Sequence, residues 1–337
     1  MLKKIELSGS HYEIGLELGK ILKKTAGYPP NYSPQVLEKS RAYQEQIGIH
    51  TPGLLDEFEG IGDSMGIDPL IPLTLEATPF RFQTSNCLVM AISGEHTRDG
   101  KPILARNHEW MAADSKNLRI CSTQPEGKLK SLGFTFHWPL VSRHGGINEA
   151  GLALSANSAT FVASGPGIMS NLAIRWILET FQTTEEAVEF LEKMPKVWGE
   201  TYIVIDKDNT IAKVEAHNEQ TRVTYTETGY EWNSLLYDSP DMQQYMDQER
   251  IDTCIEFTSA RRAFLTKWFP DNIGEITSGL LKDILKSHEH KMCYHELEGL
   301  EICWSYILEI GAEHALVCAG RPCENQYEEV ISFQGEP

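Results

Sequence analysis

Ser85-Asn86-Cys87-Leu88-Val89-Met90-Ala91-Ile92, followed fourteen residues on by Arg106-Asn107-His108-Glu109-Trp110, is the stretch around which the rest of the chain is arranged. Leu88 to Ile92 is an apolar run of β character. Arg98-Asp99-Gly100-Lys101 is a hairpin turn signal, and Pro102-Ile103-Leu104-Ala105 returns as a second strand. That hairpin carries Arg106 to Glu109 back beside Cys87. A guanidinium near a thiol favours the thiolate, the nucleophilic form, and a carboxylate beside them can orient the arginine or a free amine. Taken alone, the same residues also describe a small buried cysteine opening a core strand, with an ordinary Arg–Glu ion pair nearby.

The chain has 337 residues, enough for one large domain or two small ones, and its 41% hydrophobic and 23% charged content is that of a globular protein. Thirty basic residues against 48 acidic ones leave a formal net charge of −18. Such a charge repels phosphate backbones and anionic membrane surfaces, so neither nucleic acid nor membrane is an expected partner. Met1-Leu2-Lys3-Lys4-Ile5-Glu6-Leu7 has lysines with no apolar run behind them, so a signal peptide is not expected. No stretch reaches the length of a membrane span. The seven cysteines (87, 121, 254, 293, 303, 318 and 323) are odd in number and scattered, which suits reduced thiols in a cytoplasm. Spacing alone leaves a Cys318–Cys323 pair open.

In order along the chain, a short strand over 3–7 precedes the capping box Ser10-His11-Tyr12-Glu13, with Ile14, Leu18, Ile21 and Leu22 at helical spacing. Ser33-Pro34 and Thr51-Pro52 each open a further helix. Residues 1–86 thus read as mainly helical, and the texture turns strand-rich at Cys87. Downstream, Leu132–Trp138 alternates like a strand, Gly145–Gly151 reads as a turn, and Leu152–Asn157 as a strand. Two helices follow over Asn171–Phe181 and Thr184–Met194, then a meander over Thr201–Asp206, Ile211–Ala216 and Thr221–Tyr225. Helices are expected at about 240–250, 258–269 and 275–287, and closing strands at Cys303–Leu308, Ala315–Cys318 and Glu329–Phe333. This order implies antiparallel sheet layers flanked by helices in one compact domain.

Several pieces, in this order, resemble the penicillin acyltransferase (acyl-CoA:6-aminopenicillanic acid acyltransferase) branch of the Ntn hydrolases, related to choloylglycine hydrolases and other linear-amide hydrolases. They begin with Leu7–Gly15, Gly19 and Leu54–Ile61, then Cys87 and Asp99-Gly100 leading to Arg106–Glu109. Gly146–Leu152 with Asn157, Ile205-Asp206, Val214-Glu215 and Trp232-Asn233 before Ser239–Met242 continue the series. Ser259–Arg262 and Gly320–Asn325 close it. The resemblance implies an α+β fold, a four-layer αββα sandwich of antiparallel sheets. It also implies self-cleavage between Asn86 and Cys87, with 1–86 retained as a separate helical prosegment beside the catalytic 87–337. By the same resemblance Cys87 is the nucleophile, Arg106 the arginine beside it, and Glu109 stands where relatives mostly carry Asp. Asn157 and Asn233 match asparagines that approach the nucleophile and the oxyanion, and Arg262 the arginine of a Ser-x-x-Arg helix. Leu88, where Thr or Ser commonly follows the nucleophile, departs from the pattern.

The chemistry follows from these residue types. A free Cys87 would carry a thiol and an α-amine of pKa about 7.7–8.0, close enough to neutrality to serve as a local general base. Before cleavage that nitrogen is an amide and cannot. Sγ would attack a linear amide of a small N-acyl substrate, the amine would leave, and water would resolve the acyl-enzyme; an amine in place of water would make the protein an acyltransferase. Asn233 and a neighbouring N–H are the expected oxyanion donors, one such donor contributing roughly 3–4 kcal/mol. No cofactor is expected, and a homo-oligomer is compatible with the sequence. The alternative is an uncleaved, catalytically silent member acting as a binding or structural protein.

One stretch points elsewhere. His288-Glu289-His290-Lys291-Met292-Cys293-Tyr294-His295 could offer zinc ligands, but on a helix His288, Cys293 and His295 diverge, and no Cys-x-x-Cys accompanies them. It reads as a His-rich helix end, and no metal is expected.

Overall fold

The computed structural model describes residues 2–79, 87–160, 163–233, 235–295 and 299–333. The strands, in chain order, are β1 (Lys4–Gly9), β2 (Leu88–Ile92), β3 (Ile103–Met111), β4 (Leu118–Pro125), β5 (Ser131–Phe136), β6 (Gly145–Asn148) and β7 (Ala153–Thr160). There follow β8 (Gly199–Ile205), β9 (Ile211–Ala216), β10 (Thr221–Tyr225), β11 (Tyr230–Trp232), β12 (Leu300–Glu309), β13 (His314–Ala319) and β14 (Glu328–Ile331). The helices are α1 (His11–Leu22), α2 (Pro34–His50), α3 (Gly53–Met65), α4 (Leu70–Ala77), α5 (Ser170–Thr180), α6 (Thr184–Lys193), α7 (Gln248–Asp271) and α8 (Ser278–Leu285).

Two sheets result, an eight-stranded one in the order β1-β4-β5-β6-β7-β8-β9-β10 and a six-stranded one in the order β11-β2-β3-β12-β13-β14. Every pairing is antiparallel except β1 with β4. The period of two along each strand sorts side chains between layers. On the eight-stranded sheet, Leu154, Tyr202, Val204 and Val214 pack against α1–α6, while Ala153, Ile203, Ile205 and Ile211 face the other sheet. On the six-stranded sheet, Val89, Ala91 and Leu104 face inward to that second core, whereas Leu88, Met90, Ile92 and Ala105 pack on Leu265, Phe269, Leu281 and Leu285 of α7 and α8. The fold is therefore the expected four-layer αββα sandwich.

Capping and close approach place the first four helices. The Ser10 hydroxyl accepts from the Glu13 N–H while the Glu13 carboxylate accepts from the Ser10 N–H, closing the expected capping box. α1 and α3 touch backbone to backbone, because a Cβ on Gly15 would stand 2.2 Å from the Glu57 carbonyl oxygen and one on Gly60 2.3 Å from that of Tyr12. β1 is an edge strand of the large sheet, and α1–α4 share one core with α5 and α6, so the described part of 1–86 is built into both layers.

Three expectations are corrected. Gly145–Gly151 is not wholly a turn: its first half is β6, a central strand. A Cβ on Gly146 would meet the Leu132 carbonyl oxygen at 2.3 Å, so the glycine is there for strand packing. The helix expected at 240–250 reduces to a short 3₁₀ turn at Gln243–Tyr245, and α7 runs unbroken from Gln248 to Asp271. The His-rich stretch is not a helix end either. α8 stops at Leu285, and the chain then turns, with Lys291 at φ 56°. None of the seven cysteines is in a disulfide; Cys318 Sγ contacts the Gly320 and Asn325 carbonyls rather than Cys323. No described helix is long and apolar enough to cross a membrane.

Candidate active site

β2 and β3 pair with Leu88 opposite Asn107 and Val89 opposite Arg106; one residue further, this register sets Cys87 against His108. Cys87, Arg106 and His108 therefore share the face that looks between the two sheets, and Asn107 and Glu109 share the face toward α7 and α8. Cys87 is fully buried.

On the inter-sheet side, Arg106 Nη2 donates to Cys87 Sγ at 3.2 Å and to His108 Nδ1 at 2.8 Å. Its Nη1 is anchored by the carbonyls of His144 and Ala156, at 2.5 and 2.8 Å, and by the Ser155 hydroxyl. His108 Nδ1 lies 3.7 Å from Sγ, and its ring stacks on Trp304 with centroids 3.9 Å apart. Burial, then Arg106 and His144, hold His108 far below the ordinary histidine pKa; burial with Arg106 and Arg143 pushes His144 down to about 3. Both rings are therefore neutral, and Arg106 sets a cation against the sulfur.

On the main-chain side, the Cys87 carbonyl accepts from Asn233 Nδ2 at 3.0 Å and from Arg261 Nη1 at 3.4 Å. Asn233 is itself clamped to β2, its N–H donating to the Val89 carbonyl at 3.1 Å and its Oδ1 accepting from the Val89 N–H. Arg261 also donates from Nε to the Lys291 carbonyl at 2.9 Å. Burial lowers the Arg261 pKa, and the Glu109 carboxylate, acting through space, works against that shift.

A cavity of about 40 Å³ opens beside the thiol, lined among others by Cys87, Arg106, His108, Asn157, Trp198 and Glu200. That is room for a few waters. Asn157 Nδ2 donates to the Ser158 carbonyl, whereas its buried Oδ1 has no hydrogen-bond partner among the described residues. Glu200 accepts from Ser158 Oγ at 3.1 Å, Ser170 Oγ at 2.9 Å and Trp198 Nε1; burial nonetheless raises its pKa.

Of the residues named from sequence, Cys87, Arg106 and Asn157 line one cavity, Asn233 holds the Cys87 main chain, and Glu109 stands on the far face of β3. Asn86 lies outside the described residues. Arg262 is turned away: it is about half exposed and ion-paired with Asp238. Its neighbour Arg261 takes the place at Cys87, because Cys254, Thr258, Arg261 and Leu265 form the buried stripe of α7. That 4-3-4 spacing was available in the sequence and selects Arg261. His108, two residues from Arg106 on the same strand face, was equally legible from the period of two. Glu200 had no local signal. A second group, His11, Glu57 and Glu179, converges between α1, α3 and α5, where Arg175 already ion-pairs with both carboxylates.

The sequence model of the acyl-coenzyme A:6-aminopenicillanic acid acyl-transferase family matches residues 96–297, more than half of the chain, beginning downstream of Cys87. No curated protein sequence matches. Among solved structures, a mutant of conjugated bile acid hydrolase from Clostridium perfringens aligns at TM-score 0.51 and 15% identity, over 75% of this chain and 94% of that one. A second variant of the same hydrolase aligns at TM-score 0.50 and 13% identity, over 73% and 92%. Penicillin V acylase from Agrobacterium tumefaciens aligns at TM-score 0.45 and 14% identity, over 69% and 83%. The hydrolase likeness is one of fold.

Proposed function

The chain belongs to the acyl-coenzyme A:6-aminopenicillanic acid acyl-transferase family, and on that premise we propose that it is a self-processing N-terminal cysteine amidohydrolase acting on a linear carbon–nitrogen amide of a small N-acyl substrate. The observation that carries this reading is the hydrogen bond from buried Arg106 to Cys87 Sγ at the wall of a small cavity. A fixed cation there stabilises negative charge on sulfur in a site shielded from bulk water.

Maturation begins with attack of Sγ on the Asn86 carbonyl. The S–C bond forms, the C–N bond breaks, and the thiol proton ends on the departing nitrogen. Water then hydrolyses the thioester, leaving a carboxylate on Asn86 and a free thiol and α-amine on Cys87. Residues 1–86 remain docked as the prosegment to the catalytic 87–337, consistent with the core that α1–α4 share with α5 and α6. The nearest side-chain base, His108, is held neutral with low proton affinity and serves poorly as a general base near pH 7. The α-amine released by cleavage supplies what His108 lacks.

In turnover the amine takes the thiol proton as Sγ attacks the substrate carbonyl, and returns a proton to the leaving amine. Arg106 holds charge on sulfur. Asn157 offers its unpartnered Oδ1 to an N–H, either that of the α-amine or that of the substrate amide. Asn233 and Arg261 fix the Cys87 main chain, and Glu109 balances Arg261; Arg262 stays outside this set. The cavity has room for the water that resolves the acyl-enzyme, and an amine in its place gives acyl transfer.

The test is denaturing peptide mapping of protein quenched during turnover of a panel of N-acylated amines. An acyl mass on the peptide that begins at Cys87, lost in Cys87→Ala, is the expected result. An acyl mass on another residue, or amide turnover by Cys87→Ala, would overturn the assignment.

A further inference from the structure

We propose that His288, Cys293, His295 and Cys323 form a structural zinc site, a Cys₂His₂ centre that clips the turn after α8 to the loop between β13 and β14. Three of these ligands lie on the turn and the fourth comes from about thirty residues downstream.

The geometry is that of a metal's first coordination sphere. One ligand atom from each residue can be chosen so that all four lie within 4.8 Å of one another. Cys293 Sγ and Cys323 Sγ are 3.6 Å apart, and Cys323 Sγ is 3.6 Å from His295 Nε2. Tetrahedral zinc, with Zn–S about 2.3 Å and Zn–N about 2.05 Å, has S···S edges of about 3.8 Å and S···N edges of about 3.6 Å. A disulfide would need its sulfurs at about 2.05 Å, so the two thiols stand at the spacing of shared ligands rather than of a bond. The imidazoles of His288 and His295 meet edge to face, with centroids 4.9 Å apart. His290 is not in the set; it stacks on Phe264.

Charge and access fit the same ion. Two thiols that each release a proton cancel the charge of a divalent cation, so the centre is neutral where Cys293 is buried. His288 is exposed and gives the ion a way in. Four protein ligands leave no open position, which marks a structural rather than a catalytic centre. The turn it would hold carries the Lys291 carbonyl that receives Arg261 Nε and the Met292 carbonyl that receives Asn107 Nδ2. The clip therefore stands behind the residues that fix the Cys87 main chain, although the proposal does not depend on the catalytic reading.

The test uses the full chain, purified under reductant without metal-affinity resin. Zinc is measured by plasma mass spectrometry, and the chelator-stripped protein is then titrated with Co²⁺. The expected result is one zinc per chain, with Co²⁺ giving a thiolate charge-transfer band and strong tetrahedral visible bands that saturate at one equivalent. Cys323→Ser should lose the charge-transfer intensity and the stoichiometric metal, and the exposed His288→Ala, which leaves the core intact, should bind Co²⁺ more weakly. Folded, reduced protein that takes up neither metal would overturn the proposal. So would a metal that both variants retain at wild-type affinity, or a Cys293–Cys323 disulfide in protein that never carries zinc.

Discussion

On the side of its thiol, Cys87 meets Arg106 and the His108 imidazole, which burial keeps neutral, with His144 beyond it; on the side of its carbonyl it meets Asn233 and Arg261, with Glu109 behind. Among the described residues, no carboxylate hydrogen-bonds the cation of the first side, and Glu200 lies across the same cavity. The second pairs a cation with a carboxylate and spends its hydrogen bonds on the main chain. One strand makes both, because alternate residues of β3 point to opposite faces: Arg106 and His108 inward, Asn107 and Glu109 toward the helices. The thiol side is thus arranged for charge that appears during reaction, and the carbonyl side for position.

Substitutions can break that division. Arg261→Ala leaves the Cys87 and Lys291 carbonyls short of a donor and the Glu109 charge less compensated, and should cost about 3–5 kcal/mol in a denaturant melt. Arg106→Gln should slow both processing and amide turnover by roughly 10²–10³-fold, read as single-turnover rates on folded protein. A milder probe is pH. His108 is held deprotonated by burial and by Arg106, so no histidine step should appear between about pH 5 and 7. The rate of mature enzyme should instead rise through the α-amine pKa of about 7.7–8.0, and His108→Gln should leave that midpoint in place. A midpoint near pH 6.5 that vanishes in His108→Gln would move the base from the amine to the imidazole. Smallest of all, Arg262→Ala removes a half-exposed ion pair with Asp238 and should change stability by only about 0–1 kcal/mol. An Arg262→Ala effect as large as that of Arg261→Ala would reverse their assignment.

What was legible in the sequence was what period and turn chemistry encode. The Cys87 hairpin, the Ser10 capping box, the α5–α6 pair and the 201–225 meander follow from local spacing, and the layered fold from their order. β6 has no local signal because Gly145-Gly146 serves strand packing against Leu132, a contact from a distant neighbour, while glycine pairs locally signal turns. The Ser-x-x-Arg motif points to Arg262, whereas the 254-258-261-265 burial stripe of α7 turns Arg261 to Cys87. The His288–His295 cluster looked divergent only on the premise of a helix. Its fourth member, Cys323, comes from another strand pair, and no local pattern announces such a meeting.

If Cys87 becomes an N-terminus, the denatured intact mass of fresh wild-type protein, measured beside Cys87→Ala, will show it. Pieces of 86 and 251 residues (337 − 86) are expected in wild type and one unbroken chain in the variant. A single full-length chain in both, stable for days at neutral pH, would contradict self-activation and leave an uncleaved protein that uses this fold for binding.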